Sequence, residues 1–99
     1  MGEAGRQVPI EVRHNPQAAR FEATVDGLLC EAAYRLDGRT MRVYHTGVPP
    51  ALEGRGIAAQ LVRAVFAHAE ANGLTVDPLC SYVRAWVRRH PEVESLVTR

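Results

Sequence analysis

Apolar and polar residues alternate along the first half of the chain, which is the pattern of β-strands with one buried face. The alternation predicts four strands, at residues 8–14, 20–25, 28–36 and 40–46. Asp26-Gly27 and Asp37-Gly38 separate the last three strands, and such pairs favour tight hairpin turns. The predicted inward faces carry Phe21, Ala23 and Val25, then Cys30, Ala32, Tyr34 and Leu36, then Met41, Val43 and His45. The pattern therefore predicts an antiparallel meander.

The period of the apolar residues changes to that of a helix after Pro49-Pro50. Ile57 and Leu61 begin a four-residue repeat that predicts an amphipathic helix over 55–72, with Gly73 as its stop. The remaining predicted elements are a brief strand at 74–79, a second helix at 81–89 and a last turn at 92–97. The order β-β-β-β-α-β-α predicts an α/β (α+β) sandwich, in which the helices pack on a mostly antiparallel sheet.

The length of 99 residues fits one domain, which we assign to residues 8–97, after a flexible N-terminus at residues 1–7. A net charge of +1 gives too weak a basic field for nonspecific binding to nucleic acid or to a membrane surface. No apolar run approaches the ~18 residues of a membrane span, and residues 1–7 lack the apolar segment of a signal peptide. We therefore expect a cytoplasmic protein with no nucleic-acid or membrane partner.

The two cysteines, Cys30 and Cys80, lie far apart in the sequence and fit neither a disulfide framework nor a Cys-x-x-Cys pair. We expect both to be free thiols, with Cys30 in the core because it lies on the apolar face of a strand. No set of histidines, cysteines and carboxylates has the spacing of a zinc site, so we expect no metal.

The most informative segment is the loop Glu53-Gly54-Arg55-Gly56-Ile57-Ala58, which joins the fourth strand to the long helix. The first amides of a helix have no partners within the helix and lie at the positive end of its dipole. Glycines let such a loop approach a phosphate closely, so the segment suits a pyrophosphate; a glycine-rich turn without a ligand is the alternative. The Rossmann and P-loop motifs do not match, since a third glycine and a Gly-Lys-Ser/Thr sequence are both missing.

After four predicted strands, this loop resembles the acetyl-CoA pyrophosphate loop of the GCN5-related N-acetyltransferases, usually written Gln/Arg-x-x-Gly-x-Gly/Ala. Three longer strings resemble the very small single-domain branch of this superfamily: His45-Thr46-Gly47-Val48-Pro49-Pro50, Pro78-Leu79-Cys80-Ser81-Tyr82-Val83 and Arg88-Arg89-His90-Pro91-Glu92. The resemblance extends from the first predicted strand to the end of the chain. Glu53 departs from it, because the first motif position usually holds Gln or Arg and a carboxylate is unfavourable beside a pyrophosphate.

The resemblance implies an acetyl-CoA-dependent N-acetyltransferase that acts on an amine of an unknown small molecule or protein. It implies that the backbone of the following residues holds acetyl-CoA: Thr46 and Val48 at the pantetheine arm, and Gly54, Arg55, Gly56, Ile57, Ala58 and Ala59 at the pyrophosphate. The alternative is a noncatalytic acetyl-CoA or CoA-binding module that serves as a sensor or adaptor. The expected partners are acetyl-CoA and the amine acceptor, and the chain is expected to be a monomer or a weak homodimer.

Cys80 and His45 are the candidate catalytic residues. Cys80 lies at the start of the second predicted helix, where the helix dipole favours a thiolate. It could accept the acetyl group as a nucleophile, line the thioester channel, or be an inert buried thiol. His45 ends the fourth predicted strand, where the resemblance places a proton acceptor, and histidine titrates near neutral pH; a structural histidine at the sheet edge is the alternative.

Many relatives protonate the leaving thiolate with a tyrosine of the last helix, and the resemblance places Trp86 at that position. Because an indole is not a useful acid, we interpret Trp86 as a core or pocket-wall side chain, which gives weight to the noncatalytic alternative. Tyr82 could donate a hydrogen bond near the thioester or pack under the sheet. His68, on the long helix, is expected to be exposed.

Overall fold

A computed structural model describes residues 9–98 of the chain. Within these residues the strands are β1 (Arg13–Asn15), β2 (Arg20–Val25), β3 (Leu28–Asp37), β4 (Thr40–Gly47) and β5 (Thr75–Pro78). The helices are α1 (Ile57–Asn72) and α2 (Ser81–Arg88), with short 3₁₀ helices at Pro50–Leu52 and Pro91–Leu96. The strands form one sheet in the order β1-β2-β3-β4-β5, antiparallel except for the parallel pair of β4 and β5. The predicted fold class and order of elements are confirmed.

The first strand is shorter than the prediction of residues 8–14. β1 begins only at Arg13, and residues 9–12 are not part of the sheet. Pro9 has no N–H to donate, and the amide of Ile10 donates to the side-chain oxygen of Gln60 on α1 at 3.1 Å. The chain before β1 therefore bonds to the helix instead of to β2. Residue 8 and the predicted flexible segment 1–7 lie outside the described residues.

The long helix begins at Ile57 instead of residue 55, because a left-handed residue precedes it. Gly56 is the N-cap and has a φ of 75°, which a right-handed helix does not allow. The helix ends as predicted at Gly73, which has a φ of 67° and donates its N–H to the carbonyl of Ala69. No helix within the described residues is long and apolar enough to cross a membrane.

A β-bulge in β4 reverses the predicted orientation of His45. Tyr34 of β3 pairs with Val43. The residue before it, Ala33, pairs with His45, so that Tyr44 has no partner in β3. The extra residue shifts the two-residue period of the side chains by one position. Val43 is buried as predicted, but the side chain of His45 lies on the opposite face and is 55% exposed. The prediction that His45 belongs to the inward face is therefore wrong.

Both helices pack on one face of the sheet around a single core cluster. The core residues are Phe21, Ala23, Cys30, Ala32, Tyr34, Met41, Val43, Leu52, Ile57, Leu61, Val62, Val65, Phe66, Ala69, Val76, Val83, Trp86 and Val93. Cys30 and Trp86 are 0% and 2% exposed, as predicted for core side chains. The other face, which we call the open face, is not covered by any helix of residues 9–98. It presents Arg20, Glu22, Glu31, Arg35, Arg42 and His45.

Two further side chains differ from the prediction. Leu36 was expected in the core, but it is 59% exposed because it lies next to the β3–β4 hairpin turn, at the end of the sheet. His68 was expected to be exposed, but it is half-buried. The centre of its ring lies 4.4 Å from that of His14 and 5.5 Å from that of Phe21, so it packs between α1 and the first two strands.

Candidate functional site

The sheet opens between β4 and β5, next to the second helix. The two strands pair only up to Val43 and Pro78. Proline has no N–H to continue the ladder, and the chain turns away there. The amides of Leu79 and Cys80 both donate to the carbonyl of Val43, at 3.0 Å. Because β4 continues to Gly47, past the end of β5, its last residues present an edge to which an extended ligand can add.

The loop before α1 contains two left-handed glycines, Gly54 with a φ of 86° and Gly56 with a φ of 75°. Other residues rarely adopt this conformation, so the loop depends on glycine at both positions. The first hydrogen bond of the helix runs from the amide of Gln60 to the carbonyl of Gly56, at 3.3 Å. The amides of the first turn therefore have no acceptor inside the helix and can bind an anion.

A cavity of about 360 Å³ joins the edge of β4 to this loop. It is lined by Thr46, Val48, Leu52, Glu53, Gly54, Gly56, Ile57, Ala58 and Tyr82. Six of the residues assigned to acetyl-CoA by sequence lie in this wall, namely Thr46, Val48, Gly54, Gly56, Ile57 and Ala58. The other two do not: Ala59 packs against the core, and Arg55 points to the β2–β3 turn, where it pairs with Asp26.

The charged side chains at the loop do not form a cationic site for a phosphate. The guanidinium of Arg55 donates to the carboxylate of Asp26 at 3.0 Å, and the two side chains are 44% and 65% exposed. Glu53 lies in the cavity wall and is exposed. An anion at the loop would thus be bound by backbone amides, beside a carboxylate that repels it.

Cys80 occupies the N-cap position of α2, and its sulfur lies 3.7 Å from the hydroxyl of Thr46. Burial opposes ionisation of the thiol and is the largest single effect. The nearby amide of Val83, the side chain of Thr46 and the amides of Tyr82 and Thr46 favour the thiolate and together outweigh it. The pKa of Cys80 therefore lies below its ordinary value, so that a larger fraction of this thiol is ionised than of an ordinary cysteine.

Tyr82 lies in the cavity wall and is half-buried. Burial raises the pKa of its hydroxyl, while the charge of Arg89 acts in the opposite direction with a smaller effect. The phenol therefore keeps its proton at neutral pH and can donate a hydrogen bond into the cavity. The sequence left open whether Tyr82 packs under the sheet, and its place in the wall was not predictable from spacing alone.

His45 and Cys80 lie on different sides of β4. Thr46, which contacts Cys80, is the next residue after His45, and neighbouring side chains of a strand point to opposite faces. The imidazole of His45 lies on the open face, 3.9 Å from the carboxylate of Glu31. The structure therefore does not bring the two candidate catalytic residues into direct contact. Glu31 was missed by the sequence analysis, because only the pairing of β3 with β4 places it there.

Trp86 lies in the core instead of the cavity wall. Its indole stacks on Phe66 and His90, with ring centres 5.4 Å and 3.8 Å away. The indole Nε1 is buried and has no hydrogen-bond partner among the described residues. Trp86 is therefore not placed to protonate a group in the cavity, whereas Tyr82, one turn earlier on α2, lines it. No group of three or more potential metal ligands lies together within residues 9–98.

Comparison with known proteins agrees with this architecture. The profile of the GCN5-related N-acetyl-transferase family matches residues 20–96. Protein NATD1 of Mus musculus is 33% identical over 86 residues, which cover 84% of this chain and 78% of the relative. Protein NATD1 of Homo sapiens is 30% identical over 94 residues, which cover 92% and 83%. A GCN5-like protein from Staphylococcus aureus, solved by NMR, superposes with a TM-score of 0.72 at 26% identity and covers 90% of this chain and 88% of its own. From its sequence and its fold, the chain belongs to the GCN5-related N-acetyltransferase family.

Proposed function

We propose that the chain transfers the acetyl group of acetyl-CoA to an amine of a small molecule or a protein. The observation that carries this proposal is that one continuous cavity reaches both the open edge of β4 and the first amides of α1. Membership of the family supports the same reaction. The cavity combines two binding elements that acetyl-CoA requires, a strand edge for an extended amide-containing arm and an amide cluster for two phosphates.

In this proposal the amides from Gly54 to Ala59 hold the pyrophosphate, and the backbone at Thr46 and Val48 pairs with the pantetheine arm. The thioester then lies near Cys80 and Tyr82. The tyrosine hydroxyl can donate a hydrogen bond to the carbonyl oxygen, which becomes more negative as the amine attacks. The C–N bond forms and the C–S bond breaks, while the ammonium of the acceptor loses protons to a base and to the leaving thiolate.

Cys80 has two possible roles in this reaction, which an experiment can separate. As a nucleophile it would carry the acetyl group as a thioester before the amine attacks. As a wall residue it would only contact the substrate thioester. If Cys80 is the nucleophile, incubation with acetyl-CoA without an acceptor leaves an acetyl adduct on Cys80 that mass spectrometry detects after acid quenching. If it is a wall residue, no adduct forms.

The proposed function is tested by CoA binding and by CoA release. We expect calorimetry to detect CoA binding, and we expect free thiol to appear when acetyl-CoA is mixed with a panel of alkylamines, amino acids and peptides. If Cys80 is the nucleophile, Cys80→Ala should lower turnover at least tenfold with CoA affinity unchanged; if it only lines the channel, turnover should stay near that of Cys30→Ala, a matched change in the core.

The noncatalytic CoA-binding module remains the second candidate, and Glu53 in the cavity wall favours it because the family motif has Gln or Arg there. CoA binding without turnover across the amine panel would support the module and reject the transferase. Failure of saturating CoA to bind would reject both.

A further inference from the structure

We propose that a second cavity, between α1 and the 3₁₀ helix Pro91–Leu96, binds a free α-amino acid with an aliphatic side chain. This second cavity has a volume of about 340 Å³, which lies within the range of about 300–1,000 Å³ that is typical of small-molecule sites. It shares no lining residue with the cavity at the glycine loop. The inference therefore goes beyond the proposed function and does not depend on it.

An unpaired hydrogen-bond donor belongs to the wall of the second cavity. Trp86 lines it, is only 2% exposed, and has a buried Nε1 with no partner among the described residues. Native proteins seldom leave a buried N–H without an acceptor, because the lost hydrogen bonds to water are then not replaced. An acceptor on a bound molecule would supply the missing partner.

A second donor lies beside this indole. The guanidinium of Arg63 lies over the ring of Trp86, 5.4 Å from its centre, and it forms no ion pair with a carboxylate of residues 9–98. Guanidinium and indole groups only donate, so neither can satisfy the other. A carboxylate offers two oxygens, one for each donor. Because the side chain of Arg63 is long and exposed, it can turn with the carboxylate and make room for an oxygen at Nε1.

The charges of the wall favour a zwitterion over a simple carboxylate. Glu70 and Glu92 line the second cavity together with Arg63, so two negative side chains accompany one positive side chain. A ligand with only a negative charge is repelled by the two carboxylates. A ligand with only a positive charge leaves Arg63 and the indole N–H without an acceptor. An α-amino acid carries both charges on one small head group and meets both requirements.

Arg63 and Glu70 are spaced to hold the two charges of that head group. They lie two turns apart on α1, about 10 Å along the helix axis. The carboxylate of the ligand lies at Arg63 and its ammonium at Glu70, each at the end of a long side chain that reaches over the cavity. Ala67 lies between them on the same face of the helix and also lines the cavity, and its methyl group leaves the space above it open.

Apart from Ser95, the rest of the wall is apolar. Phe66 and Val93 are buried at its base, and Leu96 is half-buried beside them. An aliphatic ligand side chain that covers these residues removes apolar surface from water, which favours binding. The wall therefore combines a donor pair, an acidic group and an apolar base, as an aliphatic amino acid requires.

The test is a titration of the full chain with L-leucine. The chain has one tryptophan, so its indole gives one N–H signal in a nitrogen–proton NMR spectrum and is the source of all tryptophan fluorescence. We expect L-leucine to change both signals in a saturable manner, with and without CoA. Two matched probes each lack one charge: 4-methylpentanoate has no ammonium, and 3-methylbutylamine has no carboxylate. Both should bind at least tenfold more weakly than L-leucine.

Variants separate recognition from folding. Arg63→Gln should weaken L-leucine binding at least tenfold, whereas Arg88→Gln, at an exposed position of α2 outside the second cavity, should not. Ala67→Leu fills the space between Arg63 and Glu70 from an exposed position and should abolish the response, with the melting temperature kept within a few degrees. Ala71→Leu, which is exposed on the same helix but outside the cavity, should bind L-leucine normally.

The outcomes that contradict the amino-acid site are distinct from those that concern acetyl transfer. The site would be overturned by the absence of an L-leucine response, by equal affinity for 4-methylpentanoate, or by a response that survives in Arg63→Gln or Ala67→Leu. A leucine that bound only as an acetyl acceptor would give that last result. Failure of CoA to bind would count only against the proposed function.

Discussion

Gly54 and Gly38 both have left-handed backbones, but only Gly54 lies in the cavity wall. A Cβ at either position would meet no atom within 4 Å. Replacing either glycine with alanine therefore costs mainly backbone strain, about 1–2 kcal/mol of unfolding free energy. We expect similar losses of stability for Gly54→Ala and Gly38→Ala in thermal melts. Only Gly54→Ala should weaken CoA binding in calorimetry, at least tenfold, because its methyl group obstructs the approach of a phosphate. Equal CoA affinities in the two variants would contradict the proposed phosphate loop.

The two thiols should differ in their reactivity with iodoacetamide. The pKa of Cys80 is lowered by hydrogen bonds that outweigh burial, whereas burial raises the pKa of Cys30. Since the thiolate is the reactive form, Cys80 should react at a lower pH than an ordinary thiol, and Cys30 should stay unmodified in the folded protein. Thr46→Val removes one hydrogen bond and should move the midpoint of the Cys80 rate profile to higher pH, as followed by mass spectrometry.

The matched control for this shift is Thr40→Val. Thr40 lies in the same strand, but its hydroxyl is 3.1 Å from that of Thr75 and away from Cys80. It should leave the pH profile of Cys80 unchanged. A profile that moves equally in both threonine variants would mean that Thr46 does not stabilise the thiolate.

Among the elements, β1 is the shortest strand, and His14 connects it to the rest of the fold. The imidazole stacks on Phe21, with ring centres 4.3 Å apart and planes 5° from parallel. Its Nε2 lies 2.6 Å from the hydroxyl of Tyr34 on β3. The ring of His68 on α1 meets it edge-on at 4.4 Å. One side chain thus links β1 to β2, β3 and α1.

This arrangement predicts a loss of stability in mild acid. Burial, followed by the charge of His68, lowers the pKa of His14 below its ordinary value of 6.5. The unfolded chain therefore binds a proton at His14 before the folded chain does. The neutral His14 side chain contributes fully to the free energy of unfolding above about pH 6.5. This contribution is lost as the pH falls from there through the lower pKa of His14 in the folded state. We expect the urea midpoint to fall between pH 7.5 and pH 5, and to fall less in His14→Gln. An unchanged pH dependence in this variant would exclude His14 as its source.

Turns and helix ends that have local sequence signals were predictable. The strand β4 was also predicted, but the bulge within it was not. Asp26 and Gly27 adopt φ values of 52° and 77°, as the predicted hairpin turn requires. Gly73 likewise ends α1 where the sequence placed the stop. The bulge at Tyr44 has no such signal, because it depends on which residue of β3 faces which residue of β4. A strict two-residue period therefore assigned His45 to the wrong face.

At the scale of the whole molecule, some parts of the candidate site follow from contiguous sequence, and others depend on the assembled fold. The glycine loop is contiguous in sequence, so its residue types alone indicated an anion-binding segment. Two contacts join segments that are distant in sequence, Asp26 with Arg55 and Glu31 with His45. Neither follows from spacing, since strand register and the packing of a turn against a loop are set by the assembled fold.

The position of β4 also has a consequence for the kinetics of the proposed reaction. One side of the strand carries Thr46, next to Cys80, and the other carries His45, next to Glu31. The two candidate catalytic side chains, Cys80 and His45, therefore lie on opposite sides of one polypeptide strand. If Cys80 only lines the thioester channel, the amine must meet acetyl-CoA in a ternary complex; if Cys80 is the nucleophile, the acetyl-enzyme forms first and the kinetics are ping-pong. No helix of residues 9–98 covers the open face, so an acceptor that approached His45 from that side would meet no enclosing element.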